Sequence, residues 1–377
     1  MKLVFFINYL NHHQIAIMDE FYSLLKGDFG VVLTLPKNEG ELKGSQDFST
    51  RIYCVCAGED ILAQNKAFEL SRSADVCVFG ACSQKYAVER AKHNPQGLSF
   101  EMGERWLKKG LINLLSPRFI TWYYNYLRYY RKAAFYKLCC SGFAAKDDML
   151  VNAYRDRHFK WGYFVADQGS GGAILDKQKS NVQIMWCARF IDWKHPELVI
   201  ELARRLKDEA ADVHINMYGV GGSLEKIRQL SKDLNVEDLV SLKGQLPNSQ
   251  IVDEMRNHDI FLFTSDRNEG WGVVLNEAML SRCAVVASDE IGAVPFLLVD
   301  GEQGLIFKSQ NIDSLYFKVK ALLNSSELRK QLAHSAYEIV SRTWSPQKAA
   351  ENFLQLITDL KNDRDVSVLT GPCSKVL

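Results

Sequence analysis

A chain of 377 residues, 47% hydrophobic and 24% charged, suits two ordinary globular domains rather than a disordered or fibrous protein. No run of about 18 apolar residues occurs, which excludes a membrane-spanning helix. Nine cysteines without a C-x-x-C pair and eight histidines without ligand spacing argue against a zinc site and favour a reducing compartment.

The net charge of +1 hides a division: residues 1–165 carry 22 Lys/Arg against 16 Asp/Glu, whereas the remainder carries 24 against 29. The opening Met1-Lys2-Leu3-Val4-Phe5-Phe6-Ile7 lacks a signal-peptide cleavage pattern and reads as a buried strand, Leu3–Ile7. Strands are also expected at Gly30–Leu35, Ile52–Val55, Val76–Phe79, Leu98–Phe100, Lys137–Cys140 and Phe159–Phe164, with helices at Gln14–Leu25, Gln84–Lys92 and Arg118–Arg131. This alternation is that of an α/β layer.

From Arg105 to Lys146 there are nine basic residues and no acidic one, interleaved with Trp106, Phe119, Trp122, Tyr123, Tyr124, Tyr126, Tyr129 and Tyr130. Such a stretch suits an anionic membrane surface, or else a core helix with a solvated basic face. No nucleic-acid-binding module accompanies it, so nucleic acid is not expected as a partner.

Residues 166–180 are polar and glycine-rich and read as a linker between an N-terminal domain, 1–165, and a second one, 181–345. The alternation restarts with strands at Val182–Cys187, Val213–Tyr218, Leu239–Lys243, Ile260–Phe263, Ala284–Ala287 and Gly304–Phe307. Helices are expected at Pro196–Asp208, Leu224–Leu234, Gln250–Asn257 and Val273–Leu280, with Pro196 in a first turn and Asn248-Ser249 as a cap. From Asn311 the chain reads as largely helical, ending in Pro346–Lys361; the polar stretch 362–377 reads as a disordered tail. Two doubly wound domains facing each other would place a ligand in the cleft between them, at the carboxyl ends of the strands.

Four loops of the second half fall where parallel strands should end. The first carries Arg189 and Lys194, five apart, which could bind phosphate jointly. The second is Gly219-Val220-Gly221-Gly222, and the third begins at Gly244. The fourth, Glu269-Gly270-Trp271-Gly272-Val273-Val274-Leu275-Asn276-Glu277, sets two carboxylates around glycines at a helix start, where free backbone N–H groups attract anions. A ligand with hydroxyls at both ends and phosphate between them, such as a nucleotide-sugar, fits that segment. A charged helix start with a solvated Glu277 is the plainer alternative.

This ordered set resembles the retaining GT-B glycosyltransferases of family 4 over residues 181–345, including Asp300-Gly301-Glu302-Gln303-Gly304-Leu305. The first half, with Asn8 to Gln14 and Glu104 to Gly110, looks like a bacterial surface-glycan subgroup. It departs in having Asn11, His12 and His13 where many members have glycines, and Gly80-Ala81-Cys82 where many have a histidine.

The resemblance implies a GT-B fold of two Rossmann-like domains, with helix 346–361 crossing back to the first. It implies a metal-independent transfer with no cofactor, from a UDP- or GDP-linked sugar to a glycan or lipid-linked acceptor in surface-polysaccharide synthesis. Arg189 and Lys194 would hold the donor diphosphate and Glu269 the transferred sugar. Glu277 would take the ribose, and Gly219, Gly221, Gly244, Gly270, Trp271, Gly272 and Val273 would shape the donor pocket. On the first domain, Asn11, His12, His13, Glu104 and Arg105 are the cleft candidates. The expected location is the cytoplasm, on the inner face of the membrane. A nucleotide-sugar epimerase of the same fold and a non-catalytic nucleotide-sugar-binding protein are the alternatives.

Overall fold

The computed structural model describes residues 1–36, 49–58, 60–167 and 181–376. Most of the expected linker, from residue 168 onward, lies outside the described residues. The chain forms two compact units, Met1–Ala166 with Thr343–Leu377, and Asp167–Arg342.

The first unit is built on a parallel sheet of β1 (Leu3–Ile7), β2 (Phe29–Leu33), β3 (Cys54–Cys56), β4 (Val76–Phe79), β5 (Leu98–Gly103), β6 (Phe135–Cys139) and β7 (His158–Lys160). Its order is β3-β2-β1-β4-β5-β6-β7. β1 and β4 are buried throughout, as expected of parallel strands covered by helices on both faces. The strand order reverses between β1 and β4, the place where doubly wound sheets open a crevice at their carboxyl ends.

The final helix, Pro346–Lys361, packs in this unit. Phe353 lies against Phe5, Phe21, Phe100 and Trp161, with ring centroids 5.0–6.1 Å away. Its start is defined by Ser345, whose hydroxyl accepts from Lys348 N, and by Pro346 in the first turn.

Several elements differ from the sequence reading: a helix at Ala144–Leu150 was not expected, and the strand expected at Phe159–Phe164 lies at His158–Lys160. A helix runs from Ile61 to Ser73, capped by the Asp60 carboxylate on Ala63 N at 2.7 Å, and β5 continues three residues past Phe100 to Gly103. The tail is ordered where disorder was expected. Cys373 N bonds Lys160 O at 2.7 Å, Lys160 N bonds Ser374 O at 2.8 Å, and Val376 N bonds His158 O. Lys375 thereby forms an antiparallel bridge to Phe159, and Cys373 is fully buried. The physical reason is that β7 ends the sheet, and its unpaired edge groups recruit a polar segment that composition alone marks as disordered.

The second unit holds β8 (Val182–Cys187), β9 (Val213–Tyr218), β10 (Val240–Gly244), β11 (Ile260–Phe263), β12 (Ala284–Ser288) and β13 (Leu305–Phe307). This sheet is also parallel, in the order β10-β9-β8-β11-β12-β13. Its reversal falls between β8 and β11, so the loops following those two strands are neighbours. Helix Glu197–Asp208 buries Leu198, Val199, Ile200, Leu202, Ala203 and Leu206, the 3.6-residue stripe that covers the sheet.

Candidate functional site

After β8 the chain runs through Ala188, Arg189 and Phe190 into a short 3₁₀ turn, Asp192–Lys194. Phe190 is fully buried and anchors this loop. Its N–H bonds Val220 O at 3.0 Å, and its carbonyl accepts from Ser223 N at 2.9 Å. That contact explains the glycines after β9. A Cβ at Gly219 would stand 1.9 Å from Ala188 O, and one at Gly221 would stand 2.2 Å from Phe190 O. Gly219 also has φ +133°, which L residues avoid. The backbone these glycines admit is therefore the protein's own β8 loop. Gly244 has φ +74° with open space around it.

Lys194 is fixed at both ends. Its carbonyl accepts from Thr264 Oγ1 at 2.6 Å, and Thr264 accepts in turn from Trp186 Nε1 on β8. Its ammonium lies 4.4 Å from the Trp193 ring centroid and forms an ion pair with Glu269. Both charged side chains are about nine-tenths buried, at 11% and 12% exposure. Arg189, by contrast, is exposed, with its guanidinium 5.9 Å from the Trp193 centroid.

The turn delivering Glu269 is built around Asp266. Asp266 Oδ1 accepts from Asn268 N at 2.8 Å, and Glu269 N bonds Asp266 O at 3.0 Å. His195, in the left-handed region at φ 49°, ties the two loops together. One ring nitrogen meets Glu197 at 2.7 Å and the other Asp266 at 3.3 Å. Burial disfavours the imidazolium, but the two carboxylates outweigh it and hold the His195 pKa above its ordinary value.

Beyond Glu269 the chain passes over Phe263. Gly272 has φ +91°, and a Cβ there would meet the Phe263 ring at 2.5 Å, so no larger residue fits. Trp271 is fully buried, with Nε1 donating to Asn276 Oδ1 at 2.9 Å. Its indole thus packs in the core beneath the loop. Val273 precedes the helix Val274–Leu280.

Glu277 lies one turn into that helix and is 4% exposed, which rules out the solvated alternative. Burial pushes its carboxyl up to about 7. Asn248 Nδ2 donates to Glu277 Oε1 at 2.8 Å. The sequence reading made Asn248 a helix cap, yet that helix has no side-chain cap bond and its Asn248 amide goes to the carboxylate instead.

In the first unit, Asn11 precedes the helix His12–Leu25, so His12 and His13 stand on a helix rather than in an extended segment. His13 packs on Tyr163 with centroids 4.5 Å apart, and burial, then His12, push its pKa down to about 3. Glu104 accepts from Lys108 Nζ at 2.7 Å and from Tyr163 OH at 3.0 Å. Arg105 is held by Asp147 at 3.4 Å and lies 4.7 Å from the Phe143 ring centroid.

The structure therefore joins Lys194 to Glu269, and sets Glu277 apart with Asn248. His195, Asp266 and Asn248 are site residues that sequence reasoning missed. The one available signal was the position of His195 directly after Lys194; its distant partner lies 71 residues on.

Residues 173–339 match the family model described as glycosyl transferases group 1. A poly(ribitol-phosphate) alpha-N-acetylglucosaminyltransferase of Staphylococcus aureus (strain COL) is 30% identical over 171 residues, covering 45% of this chain and 34% of that protein. An N-acetylgalactosamine-N,N'-diacetylbacillosaminyl-diphospho-undecaprenol 4-alpha-N-acetylgalactosaminyltransferase of Campylobacter jejuni is 31% identical over 164 residues, covering 44% and 43%. The chain thus spans less than half the length of these curated relatives. Over nearly the whole chain the fold is that of the GT-B glycosyltransferase structures. Anabaena HepE in complex with UDP superposes with a TM-score of 0.72 at 14% identity, covering 95% of this chain and 100% of that one.

Proposed function

From the match of residues 173–339 to the group 1 glycosyl transferases, we propose that this protein transfers a sugar from a nucleotide-diphosphate donor to a glycan or glycolipid of the cell surface. The observation that carries the reading is the fixed Lys194–Glu269 pair at the reversal point of the second sheet. Lys194, with Arg189 on the same loop, supplies cationic charge where the leaving diphosphate would develop its own, so the step is assigned without a metal. Glu269 is the group for the transferred sugar. Glu277, buried and accepting from the Asn248 amide, suits the ribose hydroxyls. Retention of configuration follows from the resemblance to family 4.

Peripheral membrane attachment through the 105–146 stretch belongs to the same proposal. Helix Pro117–Arg128 turns Phe119, Trp122 and Tyr126 into the core. Outward it presents Ile120 and Tyr124, and the preceding turn presents Leu111, Ile112 and Leu115, each at least 55% exposed. Large exposed apolar side chains among Lys108, Lys109, Arg118, Arg128, Arg131 and Lys132 match an anionic interface. Among the described residues no helix is long and apolar enough to cross a membrane.

The test is a panel of UDP- and GDP-sugars, read by binding and by slow hydrolysis. A donor that binds and is hydrolysed supports the reading. Absence of binding to every donor would overturn it.

A further inference from the structure

Lys194 has a long, flexible side chain on a loop, well past the end of β8 at Cys187. The neighbouring loop aims it. Three successive residues after β8 are bonded to the segment that follows β11. Trp193 O accepts from Asp266 N at 3.0 Å, Lys194 O accepts from Thr264 Oγ1 at 2.6 Å, and a His195 ring nitrogen lies 3.3 Å from Asp266 Oδ2.

The first two bonds define the lysine. The Trp193 carbonyl belongs to the peptide plane before the Lys194 Cα, and the Lys194 carbonyl to the plane after it. Each planar peptide moves as one unit, so pinning both fixes φ and ψ at Lys194 and with them the direction of its Cβ. Asp266 pins with a backbone N–H, which any residue but proline supplies. Thr264 pins with its side chain, so residue type decides that half of the hold.

Thr264 is itself held. It is fully buried, two residues past Leu262, which pairs with Trp186 in the parallel sheet. Alternation along the strand therefore brings the Thr264 side chain to the face that carries the Trp186 indole. Trp186 Nε1 donates to Thr264 Oγ1 at 2.8 Å. An indole N–H only donates and a hydroxyl has one hydrogen, so the indole takes an oxygen lone pair and leaves that hydrogen for Lys194 O. Trp186 is 1% exposed and packs on Phe190, with ring centroids 4.9 Å apart. The relay thus starts in the hydrophobic core and ends at the lysine.

We propose that Thr264 is a positioning residue, whose hydroxyl, oriented by Trp186, sets the place of the Lys194 ammonium before any donor arrives. That the preset charge serves a nucleotide diphosphate rests on the transferase reading; the hold on the lysine does not.

The test uses the full chain. Thr264→Val keeps the branched shape and removes the hydroxyl, whereas Thr264→Ser keeps the hydroxyl. Acylation of Lys194 by limiting acetic anhydride, read by peptide mass spectrometry, should be slow in wild type, where the ammonium is paired and 11% exposed. It should be about threefold faster or more in Thr264→Val and slow again in Thr264→Ser. Calorimetry with UDP and GDP gives the second readout. Thr264→Val should weaken whichever nucleotide binds about five- to tenfold. In a Lys194→Met background the same change should alter affinity less than about twofold, because nothing remains to be positioned.

Unchanged acylation of Lys194 in Thr264→Val overturns the proposal. An equal loss of affinity in both backgrounds does so too, since that is the mark of a merely structural threonine. If Thr264→Val does not fold, Trp186→Phe, which removes the N–H and keeps a ring in the core, decides by the same acylation rate. Wild type that binds neither nucleotide counts against the transferase reading, and acylation alone then decides the hold on Lys194.

Discussion

Lys194 and Glu269 stand 75 positions apart and form an ion pair because the strands preceding them, β8 and β11, are neighbours in the sheet. Each arrives on its own βα loop, and His195 bridges the two loops through Asp266. On the proposed function, a diphosphate entering here would meet a cation already neutralised and positioned, so binding would redistribute an existing pair. Lys194→Ala should leave the fold intact and lower turnover by about 10²–10³, as loss of a fixed transition-state charge does. Steady-state kinetics on the donor identified by the panel, with circular dichroism as the folding control, checks this. Near-wild-type turnover would remove Lys194 from the chemistry.

Glu277 is a carboxylate kept out of water. Its folded pKa, raised from 4.5 to about 7, means that the folded state retains a proton that the unfolded chain releases. The stabilisation from that proton is present below about pH 4.5 and is lost as pH rises through about 7. Glu277→Gln, which mimics the protonated form, should gain thermal stability relative to wild type above pH 7, by a few degrees. It should weaken nucleotide-sugar binding about tenfold or more, because charge-assisted bonds to the ribose are lost. Melting curves at pH 5 and pH 8, with donor titrations, test both halves; identical affinity would detach Glu277 from the ribose.

His195 shifts stability with pH in the same direction. Its folded pKa lies above the ordinary 6.5, so the bridge between the two loops is fully stabilising below pH 6.5 and weakens as pH rises through the raised value. Wild type should therefore lose stability as pH rises above about 6.5 relative to His195→Ala, whose profile lacks that component. Thermal unfolding of both across this range is the measurement. Parallel profiles would show that the bridge contributes nothing.

The apolar projections of the 111–124 stretch can be tested without touching any proposed site residue. Leu111→Ser, Ile112→Ser and Leu115→Ser together should reduce co-sedimentation with vesicles containing anionic lipid about tenfold or more and leave donor binding unchanged. Raising salt should weaken the wild-type interaction as well. Unchanged sedimentation of the triple variant would separate these side chains from any membrane role.

The final prediction concerns the tail. Removing residues 371–377 strips β7 of its bonds to Cys373, Ser374 and Val376 and uncovers a buried edge. The midpoint of the first unit should fall by roughly 5 °C, measured by calorimetry, with donor binding by the second unit retained.

Much of the architecture was legible in the residues themselves. Val76–Phe79 and Ile260–Phe263 read as buried strands because parallel strands covered on both faces are uninterrupted apolar runs, and both appear with those bounds. The Glu269–Glu277 segment was legible as a loop entering a helix, since glycine and carboxylates at a helix start carry local chemistry. Gly219 and Gly221 were recognisable as a tight turn, but not as the seat of Phe190, because the atoms that require them belong to another loop. Local signals also misled. Asn248 has the chemistry of a cap, and only the proximity of Glu277, 29 residues away, diverts its amide. The polar tail has the composition of a disordered segment, and only an open sheet edge orders it.

The sequence by itself determined the order of strands and helices and which residue types arrive at the strand ends, because those properties depend on near neighbours in the chain. Tertiary structure alone decided which ends are adjacent. The reversal of strand order joins Lys194 to Glu269, and the packing of helix Asn248–Arg256 beside helix Val274–Leu280 sets Asn248 against the buried Glu277. The strength of a charge and the cost of an unpaired hydroxyl are set by burial, and burial exists only once the sheets are assembled.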